Sequence, residues 1–179
     1  LEFRRVLFRS IGLGNLGEHI ATNLVKDGHE VAVFDLNRAA GDALVAVGAR
    51  FADSAADAAT GADAVFTCLP STKAIEIVFA EIVPVMAPGA TWIDNSTNDY
   101  DLIVDLGERA AAAGIRAIEA PVTGGVHLAR SGEITVILGG ADDAVADHMA
   151  LFQVIGKRIF HVGAIGQASK IKEIGRAHV

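Results

Sequence analysis

The sequence predicts an α/β domain with a doubly wound, mostly parallel sheet. Three observations carry that expectation. Short apolar, often β-branched runs alternate with alanine-rich stretches of helical spacing. A glycine-rich turn, Gly12-Leu13-Gly14-Asn15-Leu16-Gly17, opens the first of those stretches, and an acid, Asp35, ends the apolar run that follows it.

Taken in order, residues 31–35, 64–69, 91–94 and 115–119 read as buried strands. Between them, 16–27, 38–47, 72–86 and 100–113 read as helices, mostly closed by glycine. Further on, 134–138 and 158–162 are strand candidates around a helix near 142–152, whose start suits the carboxylates of Asp142 and Asp143.

The chain has 179 residues, 51% of them hydrophobic, with 19 glycines, enough for one sizeable core, and a single domain over 11–172 is expected. A formal charge of −7 and few aromatics argue against a nucleic-acid partner. No apolar run approaches the ~20 residues of a membrane helix, so no membrane span is expected. A lone Cys68 allows no internal disulfide, which together with the want of a signal segment suggests a reducing cytoplasm. Both ends, residues 1–10 and 174–179, resemble translated sequencing-adapter sequence and are set aside as non-native. Arg9 and Ser10 would otherwise end the strand feeding the glycine turn, where apolar residues belong.

A G-x-G-x-x-G turn between strand and helix suits a dinucleotide. Gly12 permits the tight turn, Gly14 lets the backbone approach a pyrophosphate, and Gly17 permits close helix packing. Asn15 and Leu16 open the helix whose N-terminus would face the phosphates. Asp35 would accept hydrogen bonds from ribose hydroxyls and repel a 2′-phosphate, favouring NAD over NADP, although Arg38 stands nearby.

Four later segments add to this: Cys68-Leu-Pro70, Asp94-Asn-Ser-Thr97, Ala120-Pro-Val-Thr-Gly-Gly125, and Gly163-Ala-Ile-Gly166 ahead of Lys172. With the glycine turn they resemble the β-hydroxyacid dehydrogenase family, the group of 3-hydroxyisobutyrate dehydrogenases, tartronate semialdehyde reductases and, more distantly, 6-phosphogluconate dehydrogenases. The resemblance covers that family's cofactor domain and stops where its all-helical second domain begins, so the chain reads as a fragment inactive alone, from a homo-oligomeric protein. It implies that Leu69, Pro70 and Thr97 line the nicotinamide side of the pocket. It implies further that Thr123, Gly124 and Gly125 hold a substrate carboxylate, and that Lys172 is the acid/base for hydride transfer between NAD and a small 3-hydroxy acid. The family pattern has serine at position 123, glycine at 128 and 168, and asparagine at 176, where this chain has Thr123, Leu128, Ala168 and Arg176.

Each of these residues also has a plainer reading. Leu69-Pro70 is a strand stop, Ser96-Thr97 a helix cap, Gly124-Gly125 a turn and Lys172 a solvated helix lysine. A non-catalytic NAD-binding module is the alternative function, and a methyltransferase is a third. His19, His29, His127, His148, His161 and His178 show no metal-ligand spacing, and no metal site is expected. Cys68 and Trp92 read as core.

Overall fold

A computed structural model describes residues 6–177. Residues 1–5, His178 and Val179 lie outside the described residues, as do the side chains of Arg176 and Ala177.

The sheet takes β1 (Leu7–Ile11), β2 (Glu30–Phe34), β3 (Arg50–Phe51), β4 (Ala64–Thr67), β5 (Thr91–Asp94), β6 (Arg116–Glu119), β7 (Val122–Thr123), β8 (Ile134–Gly140) and β9 (Gly156–His161). Their order is β3-β2-β1-β4-β5-β6-β8-β7, with β9 paired to β8. The first six strands run parallel, Phe8 standing between Val31 and Ala64. The order reverses between β1 and β4, and a doubly wound sheet opens its ligand crevice at such a switch point. β8 runs antiparallel to β6 and β7.

The helices are α1 (Gly17–Lys26), α2 (Asp42–Ala46), α3 (Ala55–Ala59), α4 (Thr72–Ile82), α5 (Tyr100–Ala112), α6 (Val126–Arg130), α7 (Asp142–Ile155) and α8 (Gln167–Ala177). They cover both faces, giving two apolar cores. One joins Leu24 and Leu44 with Phe8, Val33, Phe66 and Phe152. The other joins Ile75, Phe79 and Leu106 with Ile11, Val65 and the fully buried Trp92. Successive side chains alternate faces along each strand, so apolar runs unbroken by polar residues are what a sheet covered on both sides requires. Among the described residues no helix is long and apolar enough to cross a membrane.

The central strand β1 runs through residues 7–10, with Arg9 and Ser10 at positions where the sequence pattern calls for apolar residues. Backbone pairing does not depend on side-chain type, and Phe8 and Ile11 supply apolar contacts on opposite faces. Arg9 is the misfit: only 6% exposed, it donates Nη1–H to its neighbour Phe8's carbonyl at 2.9 Å, while its Nε has no partner.

Candidate functional site

The residues singled out from the sequence gather at the carboxyl ends of the parallel strands. Gly12, directly after β1, has φ +89 and donates its N–H to Phe34 O at 2.9 Å, tying the turn to β2. A side chain at Gly12 would lie 2.3 Å from Cys68 O, and one at Gly17 would lie 1.9 Å from Gly12 O, so both glycines are demanded by packing. Gly14 differs. A Cβ there meets nothing within 4 Å, and Gly14 and Asn15 are exposed, so the space before the start of α1 is open to a ligand. The first amides of a helix lack intrahelical acceptors and suit an anion. Leu16 is half-buried against the core.

Asp35 joins the turn to the next strand. Its Oδ2 accepts the Leu13 N–H at 2.8 Å, and its Oδ1 accepts the Asn37 N–H at 2.8 Å. Each oxygen keeps a lone pair for a ligand hydroxyl. Arg38 stacks on the Phe51 ring, 3.9 Å from its centroid. The observations fit a dinucleotide: an open approach at Gly14, a helix N-terminus, and an anchored carboxylate.

A buried hydrogen-bond chain fixes the next two strand ends. Trp92 Nε1–H donates to Thr67 Oγ1 at 2.9 Å, and Thr67 donates to Asp94 Oδ1 at 2.6 Å. Ser96 Oγ–H donates to the same Oδ1 at 2.8 Å and accepts the Leu69 N–H at 2.9 Å. Asn98 Nδ2 donates to Asp94 Oδ2. Burial pushes the Asp94 carboxyl up, against the pull of these donors. Leu69 is thereby held from behind, while Pro70 and Thr97 stay exposed. Burial, then the nearby Asp94, pushes the Cys68 thiol up to about 12, which leaves it uncharged.

Beyond β6, Val122 and Thr123 pair with Val136 and Thr135. Gly124 and Gly125 follow at φ +128 and +83, where side chains are strained. Thr123, Gly124 and Gly125 are all exposed. Leu128 packs beneath them: a Cβ on Gly124 would fall 2.8 Å from its Cδ1. Half-buried Lys172, on α8, donates Nζ–H to Val122 O at 2.7 Å, and its charge is felt at Cys68, which backs the glycine turn. Lys170 lies on another face of α8, with Nζ 3.9 Å from the centroid of Tyr100.

Two groups escaped the sequence reading. The sequence pattern marks Asp94 only as part of a motif and Glu119 only as a strand end, yet each is a buried carboxylate organising the loops around it. The signal that picked out Asp35, an acid closing an apolar strand, applies equally to both. Glu119 takes the Ala168 N–H on Oε1 at 2.9 Å, and the Ser169 N–H and hydroxyl on Oε2 at 3.1 and 2.6 Å.

The family model described as the NAD binding domain of 6-phosphogluconate dehydrogenase matches residues 8–163. Over 166 residues, 90% of this chain, the chain is 37% identical to an NAD-dependent L-serine dehydrogenase of Pseudomonas aeruginosa. It is 38% identical, over the same share, to that organism's 3-hydroxyisobutyrate dehydrogenase. It spans 56% of the length of each. The solved structure of Mycobacterium tuberculosis 3-hydroxyisobutyrate dehydrogenase with L-serine superposes with a TM-score of 0.93 at 27% identity, covering 96% of this chain and 59% of that one. With the switch-point crevice, the open Gly14 and the anchored Asp35, these likenesses place the chain in the family of NAD-binding domains of 6-phosphogluconate dehydrogenase and its hydroxyacid dehydrogenase relatives.

Proposed function

We propose that this chain, over residues 11–172, supplies the cofactor half of an NAD-dependent dehydrogenase that interconverts a small 3-hydroxy acid and its semialdehyde. The observation that carries the reading is Lys172: its Nζ is held on Val122 O, next to Thr123, and its charge reaches the base of the glycine turn. In this reading Gly12, Leu13, Gly14, Asn15, Leu16 and Gly17 receive the pyrophosphate, Asp35 takes the ribose hydroxyls, and Leu69, Pro70 and Thr97 border the nicotinamide. When bound, NAD supplies the hydride acceptor at the carbinol carbon. The Thr123 hydroxyl and the amides of Gly124 and Gly125 bind and orient the substrate carboxylate, which fixes the carbinol beside the lysine. Lys172 Nζ takes the hydroxyl proton in oxidation and returns it in reduction, which requires its neutral form at the moment of transfer.

Lys172→Met, in a protein extended to the full length of these relatives, is expected to lower kcat about 10²- to 10⁴-fold with NAD affinity unchanged. Steady-state kinetics beside calorimetric NAD titration checks this, and unchanged turnover overturns the assignment. The packing of Leu128 under Gly124 favours a second reading, an NAD-binding module without catalysis. Turnover of 3-hydroxyisobutyrate by the extended protein excludes it.

A further inference from the structure

Glu119 closes β6 and is only 1% exposed. A carboxylate so far from water needs donors on its lone pairs, and three come from the start of α8: the amides of Ala168 and Ser169 and the Ser169 hydroxyl. These amides are the second and third of the helix, the pair that an N-cap side chain ordinarily satisfies. The residue before α8 cannot satisfy them. It is Gly166, at φ +97, where a side chain would also run into Tyr100. Glu119 therefore caps the helix from the neighbouring strand, its negative charge set against the positive end of the helix dipole. Room for this comes from Gly139 on β8, where a Cβ would fall 2.3 Å from Glu119 Oε1.

Lys172 follows Ala168 by four residues and Ser169 by three, so all three project from one side of α8. Its Nζ bonds Val122 O, three residues beyond Glu119 in the chain. The helix is thus fastened twice to the segment 119–122, first through Glu119 and then through the lysine itself. We propose that Glu119 is a positioning residue for the reaction: it fixes the start of α8 against that segment and so sets where Lys172 Nζ stands relative to Thr123. This rests on the reading of Lys172 as acid/base.

The test observes Lys172 Nζ by ¹⁵N NMR in the 179-residue chain, together with amide exchange at Ala168 and Ser169. Glu119→Gln keeps the volume but turns an amide donor toward one of the helix N–H groups. It is expected to speed exchange at 168 and 169 about tenfold or more, and to move the Lys172 signal and its titration. Ser169→Ala removes one bond of three and moves both readouts in the same direction by less, which covers the case in which the glutamine variant does not fold. Lys170, on its other face, stays unchanged in both. Faster exchange at 168 and 169 with an unmoved Lys172 signal overturns the proposal, as does undiminished protection of the two amides in Glu119→Gln. In the extended protein Glu119→Gln is expected to lower kcat about tenfold and shift its pH profile while KM for NAD holds. An active Lys172→Met variant would remove the catalytic reading and leave the NMR result standing.

Discussion

The glycines of the turn share one sequence motif but perform separable physical tasks. A Cβ at Gly17 would sit 1.9 Å from the Gly12 carbonyl, inside any tolerable contact, so the backbone of β1 and α1 would have to part. A Cβ at Gly14 touches no protein atom, and its φ lies outside the left-handed region. Gly17→Ala is therefore expected to destabilise the fold by about 3 kcal/mol or more, as overpacking against fixed backbone does. Gly14→Ala should leave the unfolding free energy within about 0.5 kcal/mol of the parent and weaken NAD binding at least ~10-fold by filling the approach to the phosphates. Urea unfolding and calorimetric NAD titration of the two variants check the division. Loss of stability in Gly14→Ala without loss of affinity would overturn it.

At the scale of elements, the ends of β4 and β5 are joined by polar groups buried among apolar neighbours. Thr67 accepts from Trp92 and donates to Asp94, so Thr67→Val strips both partners at once while keeping shape. A loss of about 2–4 kcal/mol is expected, with Thr67→Ser near the parent, because a buried polar group left unpaired costs more than the bond it made. Trp92 is the only tryptophan, so its fluorescence in urea unfolding reports the change directly. Equal stabilities for the valine and serine variants would remove the network from the account. These joints also mark how far the sequence was legible. Long buried strands and helices declared themselves by period and apolar runs, and the glycine turn by its context. The two-residue β3 and β7 span a single strand period, too little to display an alternation, and α3 and α6 span only five residues each. Yet α3 carried a readable signal in Ser54, whose hydroxyl accepts the Asp57 N–H at 2.9 Å. The antiparallel placement of β8 could not be read, since an apolar run carries no direction. Arg9 was legible as a misfit, but not as a residue the strand would nonetheless accommodate. The role of Glu119 stayed hidden because its donors lie far off in sequence, 49 and 50 residues away for the two amides, whereas Asp94 takes Ser96 and Asn98 from its own loop and only Thr67 from another strand.

Across the whole molecule the sheet separates two ends. The candidate site residues gather at the carboxyl ends of the strands, while the opposite end carries a titratable group that bears on stability. His148, on α7, is buried, with Nδ1 2.8 Å from Ala144 O. Burial first, and to a lesser extent the neighbouring Arg116, lowers its pKa below the ordinary 6.5, partly offset by the hydrogen bond to the Ala144 carbonyl and then by Asp147 and Asp63. A depressed folded-state value means that the unfolded chain takes up the proton first as pH falls. The stability due to neutral His148 is therefore complete above 6.5 and is lost as pH drops from 6.5 through the lower folded-state value. For one proton the slope cannot exceed about 1.4 kcal/mol per pH unit. Urea unfolding at pH 7.5 and 5.5 should therefore show a smaller fall in stability for His148→Leu than for the parent. Carboxylates that respond to acid elsewhere are common to both proteins and drop out of the difference. Because the Cys68 thiol is pushed to about 12 and stays neutral throughout, the base of the glycine turn adds no thiolate change of its own over this range. A parent and variant with the same pH dependence would mean that His148 reaches water in the folded chain, and α7 would then have to pack less tightly on the sheet than its buried Ala144, Leu151 and Phe152 require.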